Sequence, residues 1–81
     1  HIVHKGKLCT VLSNEPGSLA DVTRIISSTS GNISNIQVVK RDVNFYKFLI
    51  DLEVQNISHL NQIIVALRLS PFVESVDRER I

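Results

Sequence analysis

Eighty-one residues, 43% apolar and 21% charged, make one small domain near the lower size limit for a self-sufficient core. A formal net charge of +1 excludes overall electrostatic attraction to nucleic acid or anionic membrane, and only a local basic patch would supply it. The longest uninterrupted apolar run, Ile63 to Leu67, is far too short to span a bilayer, and no signal peptide is visible.

The chain in order reads as alternating strands and helices. His1 to Gly6 is polar and basic, a frayed lead-in. Lys7 to Ser13 is a strand with Leu8, Thr10 and Leu12 on one face and Cys9 and Val11 on the other. Apolar groups on both faces predict an inner strand. Ser18 to Ser30 is a helix whose Leu19, Val22, Ile25, Ile26 and Thr29 form one stripe, with Ser18 as N-cap and Asp21 completing a variant capping box. Gly31 is expected at the left-handed position that ends it.

Asn32 to Arg41 is a second strand with imperfect alternation, hence bent or at an edge. Asp42-Val43-Asn44 is a hairpin connection. Phe45 to Gln55 is the clearest strand. Tyr46, Phe48, Ile50, Leu52 and Val54 face the helices, and the odd-numbered residues, increasingly charged, face outward. Asn56 to Leu69 is a second helix with Ser58 as N-cap, a stripe of Leu60, Ile63, Ile64 and Leu67, and Arg68 against the negative end of the helix dipole. Pro71 stops it. Val73 to Asp77 is the last strand, and Arg78 to Ile81 a charged tail.

Strand, helix, strand, strand, helix, strand predicts two interlocked right-handed strand-helix-strand units. The fold class is α+β, a ferredoxin-like βαββαβ sandwich. Its four-stranded antiparallel sheet has order 4-1-3-2, with both helices on one face. One domain fills residues 1–81, with an ordered core of about 7–78. Methionine is absent, including at position 1, so the chain is expected to be a segment of a longer protein.

The organising stretch is Ser13-Asn14-Glu15-Pro16-Gly17-Ser18-Leu19. Pro16 fixes φ and Gly17 allows positive φ, so a strand turns sharply into a helix N-terminus. Backbone N–H groups then converge on one spot suited to a small carboxylate or other anion. The same residues also serve as a plain strand-to-helix turn.

Catalytic chemistry is hard to find. His1, His4 and His59 share no strand face or helix turn with carboxylates, so no metal site is expected. Cys9 reads as a buried, inert thiol without an activating neighbour, suited to a reducing, cytoplasmic setting. Asp51 and Glu53 lie two apart on one strand face and read as a solvated surface. Phe45 with Lys40 and Lys47 suggests an RNA platform, but Tyr46 and Phe48 point to the core and the glycines of an RNP1 pattern are missing. No catalytic residue and no cofactor are assigned.

The element order together with "SNEPGSLADVTRIIS" and "GNISNI" resembles an ACT domain over Lys7 to Arg78. More narrowly, "GNISNI", "DLEVQNISHLNQIIVALR" and "VESVDR" resemble the C-terminal ACT domain of Rel/SpoT-type bifunctional (p)ppGpp synthetase/hydrolases, the GTP pyrophosphokinases of the stringent response. The resemblance implies a non-catalytic regulatory domain that binds an amino acid between two copies. By position, Asn14, Glu15, Pro16, Gly17, Ser18 and Leu19 match the family's ligand loop, and Asn32 and Ile33 the start of the partner's second strand. Leu12, apolar where some members carry a polar contact, tilts the expected ligand toward an aliphatic amino acid such as valine or isoleucine. The implied partners are a second copy through the second strand's edge, other domains of the parent enzyme, and the ribosome. The alternative is a macromolecular contact module, on ribosomal RNA or another domain, without a small ligand. No membrane association is implied.

Overall fold

The structure, a computed structural model, describes residues 4–79. The elements are β1 (His4–Ser13), α1 (Ser18–Ser28), β2 (Asn32–Arg41), β3 (Phe45–Val54), α2 (Ile57–Arg68) and β4 (Val73–Glu79). The strands pair antiparallel in the order β2-β3-β1-β4, which is the expected 4-1-3-2 read from the other edge. β1 is an inner strand and β2 lies at an edge.

Alternation in β3 drives the layering. Phe48, Ile50, Leu52 and Val54 are buried and interdigitate with Leu8 and Leu12 of β1 and Val76 of β4. Val22, Ile25 and Ile26 of α1 and Leu60, Ile63, Ile64 and Leu67 of α2 close the same core. Each fully buried Leu or Ile contributes roughly 1.5–3 kcal/mol of apolar transfer, which makes this one layer the chief source of stability. Both helices cover this face of the sheet, and the other face stays open, with Cys9, Val11, Leu49 and Phe45 half-buried. Cys9 is therefore not the buried thiol expected from the sequence. It stands on the face that no helix covers.

Local geometry departs from the sequence expectations at five places. The lead-in is not frayed where it is described: His4 to Gly6 belong to β1, paired with Leu52 to Val54 of β3. Likewise Arg78 and Glu79 belong to β4 rather than to a tail. The first three residues of the expected lead-in and the last two of the expected tail lie outside the described residues. Charged residues were no bar to either extension, because alternate positions of β1 and β4 point away from the core.

Helix capping differs too. Gly17, not Ser18, is the N-cap of α1, and no side chain caps that helix. Ser18 is the first helical residue and is buried, so its hydroxyl does not take the capping role, and Asp21 turns elsewhere. In α2 the cap is Asn56 rather than Ser58, with the Asn56 side chain accepting from the His59 N–H at 2.8 Å.

Finally, α1 ends one residue earlier in its left-handed turn than expected. Ser30 carries the positive φ (66°), with Ser30 N–H donating to Ser27 O at 3.0 Å and Gly31 N–H to Ile26 O at 2.9 Å, a Schellman closure. Gly31 is needed for space instead. A Cβ there would sit 2.8 Å from Ile63 Cδ1 and 3.3 Å from the Ile26 carbonyl oxygen.

Candidate functional site

The loop between β1 and α1 is a type II turn. Ser18 N–H donates to Glu15 O at 3.2 Å, Pro16 supplies the fixed φ, and Gly17 takes φ 87°, ψ −3°. Nothing lies within 4 Å of a Cβ added at Gly17, so that side of the turn opens to solvent. The loop is tied down at its base. Ser13 N–H donates to Phe72 O at 2.8 Å, and Asn14 N–H to Asn44 O at 3.0 Å. Ser13 Oγ donates to Glu15 Oε2 at 2.8 Å.

Asn14 spends one of its two amide hydrogens on Val43 O at 3.0 Å, which clips the β1–α1 loop to the β2–β3 hairpin. With no side-chain cap on α1, the first-turn amides beyond Ser18 have no side-chain acceptor. Leu19 is an apolar side chain exposed at 37% at the start of α1. Leu12, in contrast, is fully buried in the protein's own core. It does not line the open side of the loop, and the aliphatic preference loses that support.

Asn32 and Ile33 open β2. Asn32 Nδ2 donates to Glu53 Oε1 at 2.8 Å, and Ile33 is half-buried against the core. Register separates this pair from the loop. Ser13 is opposite Phe45, whereas Asn32 is opposite Glu53. The intervening stretch of β3, at about 3.3 Å per residue, puts them roughly 26 Å apart at opposite ends of the sheet. One copy of the chain does not bring its two sets of site residues together.

Two features near the loop and near Asn32 escaped the sequence reading. Asp21 Oδ2 accepts from Ser70 Oγ at 2.6 Å, and Asp21 Oδ1 pairs with Arg24 at 2.7 Å. The Ser70 hydrogen bond first, and the Arg24 guanidinium second, hold the Asp21 carboxyl below its ordinary range. Also, His59 is 93% buried, and both its ring nitrogens have partners, Gln55 N–H and Thr29 O. The available signal was Asn56 three residues ahead of His59, the spacing of a side-chain cap.

The open sheet face carries Lys7 with Asp51 at 3.6 Å, and Lys40 Nζ 5.8 Å from the Phe45 ring centre. Among the described residues no group of three His, Cys, Asp or Glu side chains is placed to hold a metal ion. No helix among the described residues is long and apolar enough to cross a membrane.

Residues 4–78 match the family model described as ACT domain. Over 65 residues, 80% of the chain, the sequence is 40% identical to a GTP pyrophosphokinase rsh of Brucella ovis, of whose length that is 9%. It is 33% identical over 67 residues, 83% of the chain, to the bifunctional (p)ppGpp synthase/hydrolase SpoT of Escherichia coli K12, covering 10% of that protein. The chain thus spans about a tenth of these relatives. Among solved structures, the ACT domain from the GTP pyrophosphokinase of Chlorobium tepidum superposes with a TM-score of 0.81 at 22% identity, covering 96% of this chain and all of that one.

Proposed function

The chain belongs to the ACT domain family, and from that premise we propose that it is a regulatory, non-catalytic domain of a Rel/SpoT-type (p)ppGpp synthetase/hydrolase. In this reading it senses an amino acid in the cytoplasm and biases the parent's two activities. The observation that carries the reading is the open type II turn at Gly17, set on a helix N-terminus that no side chain caps. It offers backbone N–H groups to a carboxylate.

The distance between that loop and Asn32 supports a site made by two copies. β2 is an edge strand with exposed Val38 (41%) and Val39 (49%), and its free hydrogen-bonding edge suits pairing with a second β2 about a two-fold axis. The loop of one copy then meets Asn32 and Ile33 of the other. Leu19 and Ile33, the apolar side chains at the two edges, make valine and isoleucine the first ligands to test. A ligand shifts the parent's balance only by its differential affinity for the two arrangements of the regulatory region.

The test is an NMR amide-shift titration with each of the twenty amino acids, beside the variants Gly17→Asp and Asn32→Ala. Saturable shifts centred on Asn14 to Leu19 and on Asn32, abolished by Gly17→Asp and weakened by Asn32→Ala, are expected. Undiminished binding by Gly17→Asp removes the loop from the site.

A second reading, contact with ribosomal RNA or another domain of the parent, draws on the outer stripe of α2. There Val65 (58%) and Leu69 (81%) are exposed beside the uncharged Ser58, Asn61 and Gln62. An uncharged apolar stripe suits another protein domain, so binding to the rest of the parent that persists at high salt, without any response to amino acids, would favour it. RNA affinity that falls steeply with salt would instead place the contact on basic residues elsewhere.

A further inference from the structure

His59 sits in the first turn of α2, 7% exposed, where the helix crosses the end of α1. Its ring has no freedom of tautomer. Gln55 N–H, 3.0 Å away, is a donor, so Nδ1 must present its lone pair. Thr29 O, 2.6 Å away, is an acceptor, so Nε2 must carry the hydrogen. The ring is therefore neutral and joins two backbone segments, the C-cap of α1 and the residue that follows β3.

Those segments carry both members of one surface pair. Three residues beyond Thr29, past the left-handed Ser30 and the tightly packed Gly31, comes Asn32. Two residues before Gln55 comes Glu53, which accepts from the Asn32 side chain at 2.8 Å. One helical turn after His59, Ile63 presses on Gly31, so a single face of α2 holds the turn at two points. The Thr29 carbonyl is pinned by a hydrogen bond and Gly31 by contact.

We propose that His59 is a positioning residue for Asn32: its neutral, Nε2-protonated ring sets the turn that delivers Asn32 to the edge of the sheet, and protonation of the ring releases that turn. A second proton would go on Nδ1, which then points a donor at the Gln55 N–H. The pair repels, and either β3's exit or the Thr29 contact has to give. Little nearby charge intervenes. Residues 25–39 hold no Asp, Glu, Lys or Arg, and neither do residues 54–67. The charged or titratable groups on the adjoining strand ends are Glu53 on β3, opposite Lys5 on β1, and His4 on β1 opposite Val54. Among the described residues no carboxylate makes an ion pair with the His59 ring.

The inference that this matters for a ligand rests on the two-copy amino-acid site, but the positioning itself is measurable without any ligand. The experiment is a pH titration of the ligand-free 81-residue chain by NMR. It follows the His59 ring nitrogens, the Asn32 side-chain amide and the backbone amides of Ser30 to Ile33. The expected result is an Nε2–H tautomer at neutral pH, and Asn32 and turn resonances that shift with the midpoint of the His59 ring. In His59→Gln, whose amide can still donate to Thr29 O, the turn resonances should stay near their neutral-pH positions and lose the pH dependence. His59→Leu should displace them at every pH, with its fold checked by the shifts of the β1 and β3 amides.

An Nδ1–H tautomer, or Asn32 resonances that stay flat while the His59 ring titrates, overturns the proposal. So does a pH dependence that persists unchanged in His59→Gln. With L-valine and L-isoleucine as probes, binding that weakens several-fold as the wild-type ring protonates, but not in His59→Gln, extends the positioning to the site. A wild-type chain that is dimeric by sedimentation and binds neither these nor any other amino acid defeats the two-copy site, and the ligand-free titration decides the positioning in either case.

Discussion

Ser70 Oγ donates a 2.6 Å hydrogen bond to Asp21 Oδ2, tying the segment after α2 to the first turn of α1 across 49 positions of sequence. The same hydroxyl accepts from Phe72 N–H at 3.2 Å, and Phe72 O accepts from Ser13 N–H at the base of the β1–α1 loop. The ligand loop and the entry to β4 are thus braced through one serine.

This brace sets a pH dependence. The Ser70 bond, and secondarily Arg24, lower the Asp21 carboxyl from its ordinary 3.8. A carboxyl depressed in the folded state contributes stability above its unfolded value, and that contribution disappears as pH falls through the folded value. Thermal unfolding should therefore show an acid-side loss below about pH 4 that is shallower in Ser70→Ala and in Asp21→Asn. Equal acid slopes in wild type and both variants would remove Asp21 from the balance.

Thr10 offers a stabilising substitution. Its hydroxyl is buried on the core face of β1, opposite Phe48 and Val76, and has no hydrogen-bond partner among the described residues. An unsatisfied buried hydroxyl costs on the order of 1–3 kcal/mol, and valine has nearly the same shape. Thr10→Val should raise stability by about 1 kcal/mol in denaturant unfolding. A loss instead would mean that the hydroxyl has a hidden partner.

Gly31 reports on the turn ahead of Asn32. Gly31→Ala places a methyl against Ile63 Cδ1, which can move, and against the Ile26 carbonyl, which cannot move without loosening the end of α1. A loss of about 1–3 kcal/mol is expected. Ile63→Val in the same chain should recover part of it, because the nearest of the three obstacles, which also include Ile26 Cγ2 at 3.0 Å, retracts. No recovery would assign the strain to Ile26, its side chain and its carbonyl, rather than to α2.

How much of this was legible in sequence follows from what each residue answers to. The β3 alternation and the Leu60-Ile63-Ile64-Leu67 stripe answer to one large term, burial, so periodicity alone placed the sheet and both helices. Caps answer to small differences between neighbours. Ser18 lost the N-cap position because Gly17 already occupies the left-handed corner that Pro16 prepares, which carries Ser18 into the helix. Gly31 lost the left-handed position to Ser30 because its missing side chain was needed against α2, and sequence does not reveal that tertiary reason.

The site was legible only in part, for a related reason. The Pro16-Gly17 turn is local and could be read, down to the positive φ. That Leu12 faces the core, and that Asn14 is committed to the hairpin at Val43, depends on strand register. His59 looked like the start of a helix and nothing more, since its partners Thr29 and Gln55 meet it only in the folded chain.

The β2 edge gives the last prediction. Val38 and Val39 are exposed on a strand whose outer edge has no partner among the described residues, and the strand is bent at two register shifts, between Ile33 and Asn35 and between Val38 and Lys40. Bends of this kind can keep an edge from pairing indiscriminately, so pairing with a second copy should be specific in register. Sedimentation should find a dimer whose dissociation is promoted at least tenfold by Val39→Asp, since two copies bring like charges together near the two-fold axis. The same substitution alters a half-exposed strand position in the isolated chain and should lower monomer stability by no more than about 1 kcal/mol. A Val39→Asp chain that remains dimeric places the contact elsewhere, and the exposed Val65 and Leu69 stripe of α2 then becomes the surface to alter. If the wild-type chain is a monomer at every accessible concentration, the loop and Asn32 stay roughly 26 Å apart, and a ligand site built from both requires the parent protein to bring two such domains together.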